Sequence, residues 1–300
     1  MSRSGSVGRT LDAVSTPCEA ARRHDSQPQR QRRRALRLIA RRPSLGRGWP
    51  RLISPLVLLL IWEFVSTAGF VSAQKLPPPS TVWSTGLHLI ETNSPAYGTL
   101  QHAMLVSLER IAIGFTIGAT VAIVLAIVAG VSRFGETAID PPMQMVRTVP
   151  LFALVPLFIV WFGIGQLPKV VLIALGSAIP LYLNTFAGIR GVDAQLVELG
   201  EVLELRRREV LRHIVLRGAL PYMLVGLRQS LGVAWLSLVV AEQLNADAGL
   251  GFIINQAQQF LQNDVILVAL LVYTGLGLLT DWLVRLLERR ALAWRRGLVS

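Results

Sequence analysis

Apolar residues run along this chain in blocks too long for an ordinary soluble core helix, separated by short polar breaks. The blocks cover about Leu52 to Ala73, Met104 to Val131, Pro142 to Gly163, Val170 to Gly188, Met223 to Glu242 and Val265 to Val284. Each is near or above the roughly 20 residues needed to cross about 30 Å of hydrocarbon. The pattern predicts an all-α fold, a polytopic membrane helix bundle of about six transmembrane helices. The first block ends in Val71-Ser-Ala73, which imitates a signal-peptide cleavage site, but its apolar core is longer than a typical signal segment and carries Glu63. An uncleaved first helix is therefore predicted. After the break Lys75-Leu-Pro-Pro-Pro79, a short helix near Ser80 to Thr92 is predicted to lie at the interface.

One polar interruption differs from the rest. Between the fourth and fifth blocks, about 189–222, Leu196, Leu199, Val202 and Leu203 recur at helical spacing, as do Val210, Leu211, Ile214 and Val215. This predicts two short amphipathic helices separated near Glu204 to Arg207, each with an apolar stripe bordered by charge. Such a stripe either packs back on its own bundle or serves as a knob for a groove on a partner.

Composition supports a membrane solvent: 52% of residues are hydrophobic, 16% are charged, and the mean hydropathy is +0.50. The formal charge is +12, and the arginines sit almost wholly in the first fifty residues, the central loop and the last dozen residues. That is the positive-inside pattern rather than a nucleic-acid surface, and it predicts both termini and the loop on the cytoplasmic side, with only Lys75 and Lys169 in the outer loops. Residues 1–50, with Arg30-Gln-Arg-Arg-Arg34, read as a disordered cytoplasmic tail, and 51–300 as the membrane domain.

Candidate chemistry is sparse. Pro150 and Pro156 fall in the third block and Pro180 in the fourth, where each removes a backbone donor and can kink a helix. Glu63, Glu109, Arg110, Arg147, Arg228, Glu242 and Asp281 lie in or near the blocks, positioned for interhelical pairing or for lining a path. Glu109 and Arg110 are sequence neighbours and so point different ways. Gly114-Phe-Thr-Ile-Gly-Ala119, Gly226 and Gly232 are small enough for close helix approach. There is no Gly-x-x-x-x-Gly-Lys-Ser/Thr loop, no His-Glu-x-x-His and no Gly-x-Ser-x-Gly. The four histidines are scattered, and the one cysteine, Cys18, lies in the tail. No catalytic, cofactor or metal constellation is predicted.

From Leu52 to Gly297 the chain resembles the permease subunits of binding-protein-dependent ABC importers, the group serving sulfonates, taurine, nitrate and related compounds. The likeness is carried by Leu105-Val-Ser-Leu-Glu-Arg110, Trp161-Phe-Gly-Ile-Gly165, Asn184 to Val192, Gly218-Ala-Leu-Pro221, Gly226-Leu-Arg228, and Val240-Ala-Glu242 followed by Gly249-Leu-Gly251. It implies a type I importer-like bundle, two permease copies around a path, two ATPase subunits carrying ATP and Mg, and an external binding protein. It also implies that Glu198, Leu199, Gly200, Leu203, Glu204, Leu205, Ile214 and Leu216 dock on the ATPase. Relative to the family's Glu-Ala-Ala, glycine and Ile-x-Leu-Pro signature, Leu199 and Gly200 replace alanines, Glu204 the glycine and Arg217 the proline. Glu204 should favour a continuous helix or strain the turn, because a Cβ resists positive φ. Pro150, Pro156, Pro180, Asn184 and Glu242 are the candidates for the path, with 242–252 at its outer mouth. A scaffold or sensor using the same loop, or a decayed permease paralogue, is the competing reading.

Overall fold

The computed structural model describes residues 49–92 and 98–292, so the tail predicted over 1–50 lies almost entirely outside the described residues. The chain divides into a unit ending at Leu58 and a second from Leu59 to Ser300. The described residues of the first are the opening of one helix. All regular elements among the described residues are helical: α1 (Trp49–Thr67), α2 (Pro79–Glu91), α3 (Leu100–Val131), α4 (Arg133–Thr148), α5 (Val155–Phe162), α6 (Leu167–Arg190), α7 (Ala194–Val202), α8 (Leu216–Asn245), α9 (Leu250–Gln259) and α10 (Asn263–Ala291).

Local chemistry sets many of the boundaries. Pro79, Pro156 and Pro168 stand in the first turns of α2, α5 and α6, where an amide donor is not needed. Ser132 ends α3 and its hydroxyl accepts from the Gly135 amide at 2.8 Å to start α4. Glu63, near the end of α1, accepts from the Ser80 amide and hydroxyl at 3.2 and 2.9 Å, an anion at the N-terminus of α2.

Among the described residues four helices are long and apolar enough to cross a membrane: α3, α6, the continuous segment Arg207–Gln243, and α10. The third predicted span, Pro142 to Gly163, is not one helix. It is divided between α4 and the segment Leu151–Phe162, which meet at 89°. The break falls at Val149 and Pro150, both extended, whereas Pro141 and Pro142 sit inside α4 and Pro156 starts α5. The bend thus comes from Pro150 and its extended neighbour, since a residue before proline avoids the α region. Counting the bent pair as one span gives five, and the apolar part of α1, Ile53–Thr67, is a shorter helix that stops well before the predicted Ala73.

The core is a close-packed trio. Gly114, Gly118, Ala122, Ala126 and Gly130 form a stripe of small residues every fourth position along α3. A Cβ on Gly114 would lie 2.8 Å from the Ile173 side chain, and one on Gly118 would overlap the Ala174 carbonyl. Lacking a hydrophobic drive between helices in lipid, such stripes let backbones approach and gain dispersion. The paired positions rise together along both chains, so α3 and α6 are parallel. On the other side of α6, Gly188 meets Tyr222 and Gly226 meets Asn184, each at 2.7 Å from a built Cβ. These positions run oppositely, so α6 and α8 are antiparallel. The reading of Gly114, Gly118 and Gly226 as contact glycines agrees with this, but Gly232 has nothing within 4 Å and instead lines a groove of about 330 Å³ with Trp235, Gly277 and Asp281.

Gly118→Ala should lower the melting temperature of the detergent-solubilised protein through overpacking of about 1–3 kcal/mol, and Gly232→Ala should leave it unchanged or slightly raised. Equal melting of Gly118→Ala and the unaltered protein would contradict this packing.

Candidate functional site

The loop between α6 and α8 keeps the predicted division into helices. Asp193 caps α7 by accepting from the Gln195 amide at 3.0 Å. At its far end the Leu205 amide reaches the Gly200 carbonyl at 3.0 Å and the Glu204 amide reaches Glu201 at 2.9 Å. That is a Schellman turn, whose closing position demands a left-handed residue. Glu204 occupies it with φ 55°, so the turn is retained at the expense of Cβ strain and the continuous-helix alternative is not taken. Glu209 then bonds back to the Arg206 amide at 2.9 Å and starts the next helix. The second helix is not short: it runs through the π-helical segment Val210–Val215 directly into α8.

The docking candidates separate into two groups. Glu198, Leu199, Leu203, Glu204 and Leu205 are exposed, and Leu196, Leu199, Val202 and Leu203 leave an apolar edge with exposures of 50%, 53%, 78% and 63%. Gly200 is buried, and a Cβ there would sit 2.9 Å from the Ile214 Cδ1 and 3.2 Å from Val210. Ile214 thus holds α7 against the start of α8 from beneath, and Leu216 is likewise half-buried. At the same end of the bundle Arg190 pairs with Glu136 of α4.

The opposite end holds a buried polar centre. Arg110 of α3 and Glu242 of α8 pair at 2.6 Å, with side chains 4% and 0% exposed. Glu242 also accepts from the Ser107 hydroxyl at 2.8 Å, the Tyr273 hydroxyl at 2.7 Å and the Gly251 amide at 2.9 Å. Arg110 Nη1 also donates to the Ala248 carbonyl and Nε to Gln166 Oε1, both at 2.6 Å. Gly249, at φ 117°, has no room for a Cβ, which would fall 2.6 Å from both Arg110 and Glu242, and Gly251 is pressed against the Glu242 backbone. The Gly249-Leu-Gly251 corner is therefore built around the pair. Glu109 is exposed, facing away from Arg110.

Of the path candidates, Glu242 is fully enclosed within the chain and works as a packing anion. Pro150 and Pro156 are exposed, and Pro180 and Asn184 half-buried. Asn184 donates to the Pro180 carbonyl at 2.8 Å and to Gln229 Oε1 of α8 at 2.9 Å, so these polar groups share one face of α6 and α8. Lys169, counted from the sequence as an outer-loop residue, is 3% exposed in the first turn of α6. Ser107, Tyr273, Gln166 and Gly251 were not singled out as partners of the pair. Ser107, one turn before Arg110, and Gly251 both stand within the motifs that carry the family likeness, whereas Tyr273 and Gln166 do not.

Glu204→Gly should raise the melting temperature, by relief of about 1 kcal/mol of left-handed strain; a fall would contradict the turn. Glu242→Leu should destabilise by about 3–5 kcal/mol because Arg110 loses its counter-ion, and the double variant Arg110→Met with Glu242→Leu should recover part of that loss. Additive losses in thermal melts would contradict the coupling.

With this geometry in place, likeness to known proteins is informative. The family described as binding-protein-dependent transport system inner membrane component matches residues 118–292. The chain is 43% identical over 261 residues to a protein of Bacillus subtilis named as an aliphatic sulfonates transport permease, SsuC, covering 86% of this chain and 93% of that one. It is 35% identical over 238 residues to the taurine transport system permease protein TauC of Escherichia coli, covering 79% and 86%. In structure it resembles a chain of a crystallised amino acid ABC transporter, with a TM-score of 0.54 at 19% identity, covering 70% of this chain and 97% of that one. The bundle and these matches together make this multi-pass membrane protein a member of the binding-protein-dependent transport system inner membrane component family, the permeases of ABC importers.

Proposed function

We propose that this permease carries small organic sulfonates, and that the loop centred on α7 takes up the movement of a separate ATPase. The observation that carries the second part is the exposed edge Leu196, Leu199, Val202 and Leu203, held out by a turn that persists despite the strain at Glu204. An apolar edge of that size on a rigid hairpin fits a groove on a partner. The sulfonate and taurine named for the relatives share one anionic group, which supports that solute class.

In this reading the arginine-rich end, with both termini and α7, faces the cytoplasm. Two copies of the chain enclose the path, two ATPase subunits bound to ATP and Mg lie below, and an extracytoplasmic binding protein delivers solute to the end bearing α9. Closure of the ATPases pushes α7; because Ile214 locks α7 onto the root of α8, the push enters the bundle as a rigid movement rather than a local bend. Alternation between two arrangements of the helices then opens the path to each side in turn.

Replacing Glu198 by Arg and Leu203 by Asp together should abolish co-purification with the ATPase encoded beside this chain while leaving membrane insertion intact. Undiminished co-purification would place docking elsewhere, and an unaltered chain that recruits no ATPase would favour a scaffold role.

A further inference from the structure

The buried end of α6 holds two cations with unused donors. Lys169 Nζ and Arg110 Nη2 are enclosed, and neither meets a hydrogen-bond acceptor among the described residues. They belong to one locality: Arg110 Nε is bonded to Gln166, the residue that caps α6, and Lys169 lies in the first turn of that helix. The charged groups acting on Lys169 are Arg110, Asp247 and Glu242. Glu242 is already committed to four donors, and Asp247 is exposed on the loop after α8. The N-terminus of α6 adds further positive potential, with amides at Leu167 and Lys169, Pro168 having none and that of Val170 bonding the Gln166 carbonyl. A buried cation without a partner is strongly disfavoured, so an arrangement that supplies an anion or solvent is favoured over it.

The cover over Lys169 is apolar, and Val155 and Phe158 of α5 pack in a small cluster with Leu172 and Ala241. The surroundings of Lys169 are Val155 and Ile159 of α5, together with Pro168, Leu172 and Ala241. Helix α5 is short, follows the 89° break at Pro150, and ends at Gly163 (φ 76°) and Gly165 (φ 154°), neither of which has any neighbour within 4 Å of a built Cβ. Its contact with Lys169 is apolar, so lifting it breaks no ion pair.

We propose that Lys169, the free Nη2 of Arg110 and the N-terminus of α6 form a subsite for the anionic head of the transported solute, and that α5 is the lid that closes it. The subsite rests on the sulfonate reading above. A sulfonate offers three acceptor oxygens, enough for both cations and an amide. Released from the binding protein at this end, the solute meets the subsite first, and return of α5 displaces it inward.

The test uses the complete complex of permease, ATPase and binding protein in proteoliposomes, with ethanesulfonate as solute. Lys169→Met should cut uptake by about tenfold or more, the effect of one charged hydrogen bond, while Lys169→Arg retains most of it. In a Cys18→Ser background, Lys169→Cys should react with a sulfonate-bearing methanethiosulfonate faster in the ATP-trapped complex than in the nucleotide-free one. Full uptake by Lys169→Met would overturn the subsite, and so would absence of labelling in both states. Equal loss in Asp247→Asn would overturn it in favour of a Lys169–Asp247 ion pair. An unaltered complex that takes up no ethanesulfonate removes the sulfonate reading itself, whereas uptake by that complex matched by Lys169→Met removes only the subsite.

Discussion

The bond between Arg110 and Glu242 governs how one end of this bundle is assembled, because neither charge can be enclosed without the other. Its ligands come from α3, α8, the start of α9, α10 and the residue that caps α6. The sequence around it follows from that requirement. Gly249 adopts φ 117° where a side chain would strike the pair, Gly251 supplies an amide from a backbone pressed on Glu242, and Ser107 joins the carboxylate to the Leu250 amide. The Gly249-Leu-Gly251 corner is closed around the pair.

The trio of α3, α6 and α8 carries that fixed end through to the other end of the bundle. Backbone contacts at Gly114, Gly118, Gly188 and Gly226 leave little freedom for these helices to slide independently. The α7 hairpin is inserted between two members of the trio, and Ile214 closes it from beneath. Rigidity in the trio contrasts with the 89° break and isolated glycines around α5. The fold thus combines a closely packed trio and, beside the buried cations, a short helix set off by a sharp bend.

Much of this was legible in the sequence because lipid imposes simple rules. The long apolar blocks, the short helix after the proline run, the amphipathic hairpin and the glycines of α3 all follow from length, periodicity and size. The break in the third span was half-legible: the prolines announced it, but periodicity could not say that Pro150 bends the chain while Pro156 merely begins a helix. Two things were hidden for a clearer reason. Glu204 and Lys169 each break a local rule, a Cβ at positive φ and a cation in an apolar pocket, and only their neighbours show what the chain does about it. Tyr273 completes the buried centre from a helix with no polar pattern to mark it.

The most direct test of a permease driven through the α7 hairpin is ATP-dependent accumulation of ethanesulfonate in proteoliposomes holding this chain, its ATPase and its binding protein, each component omitted in turn. Accumulation that requires all three would bear out coupling through a separate ATPase. Solute movement that persists without the ATPase, or ATP hydrolysis by the complete complex with no solute movement, would contradict it.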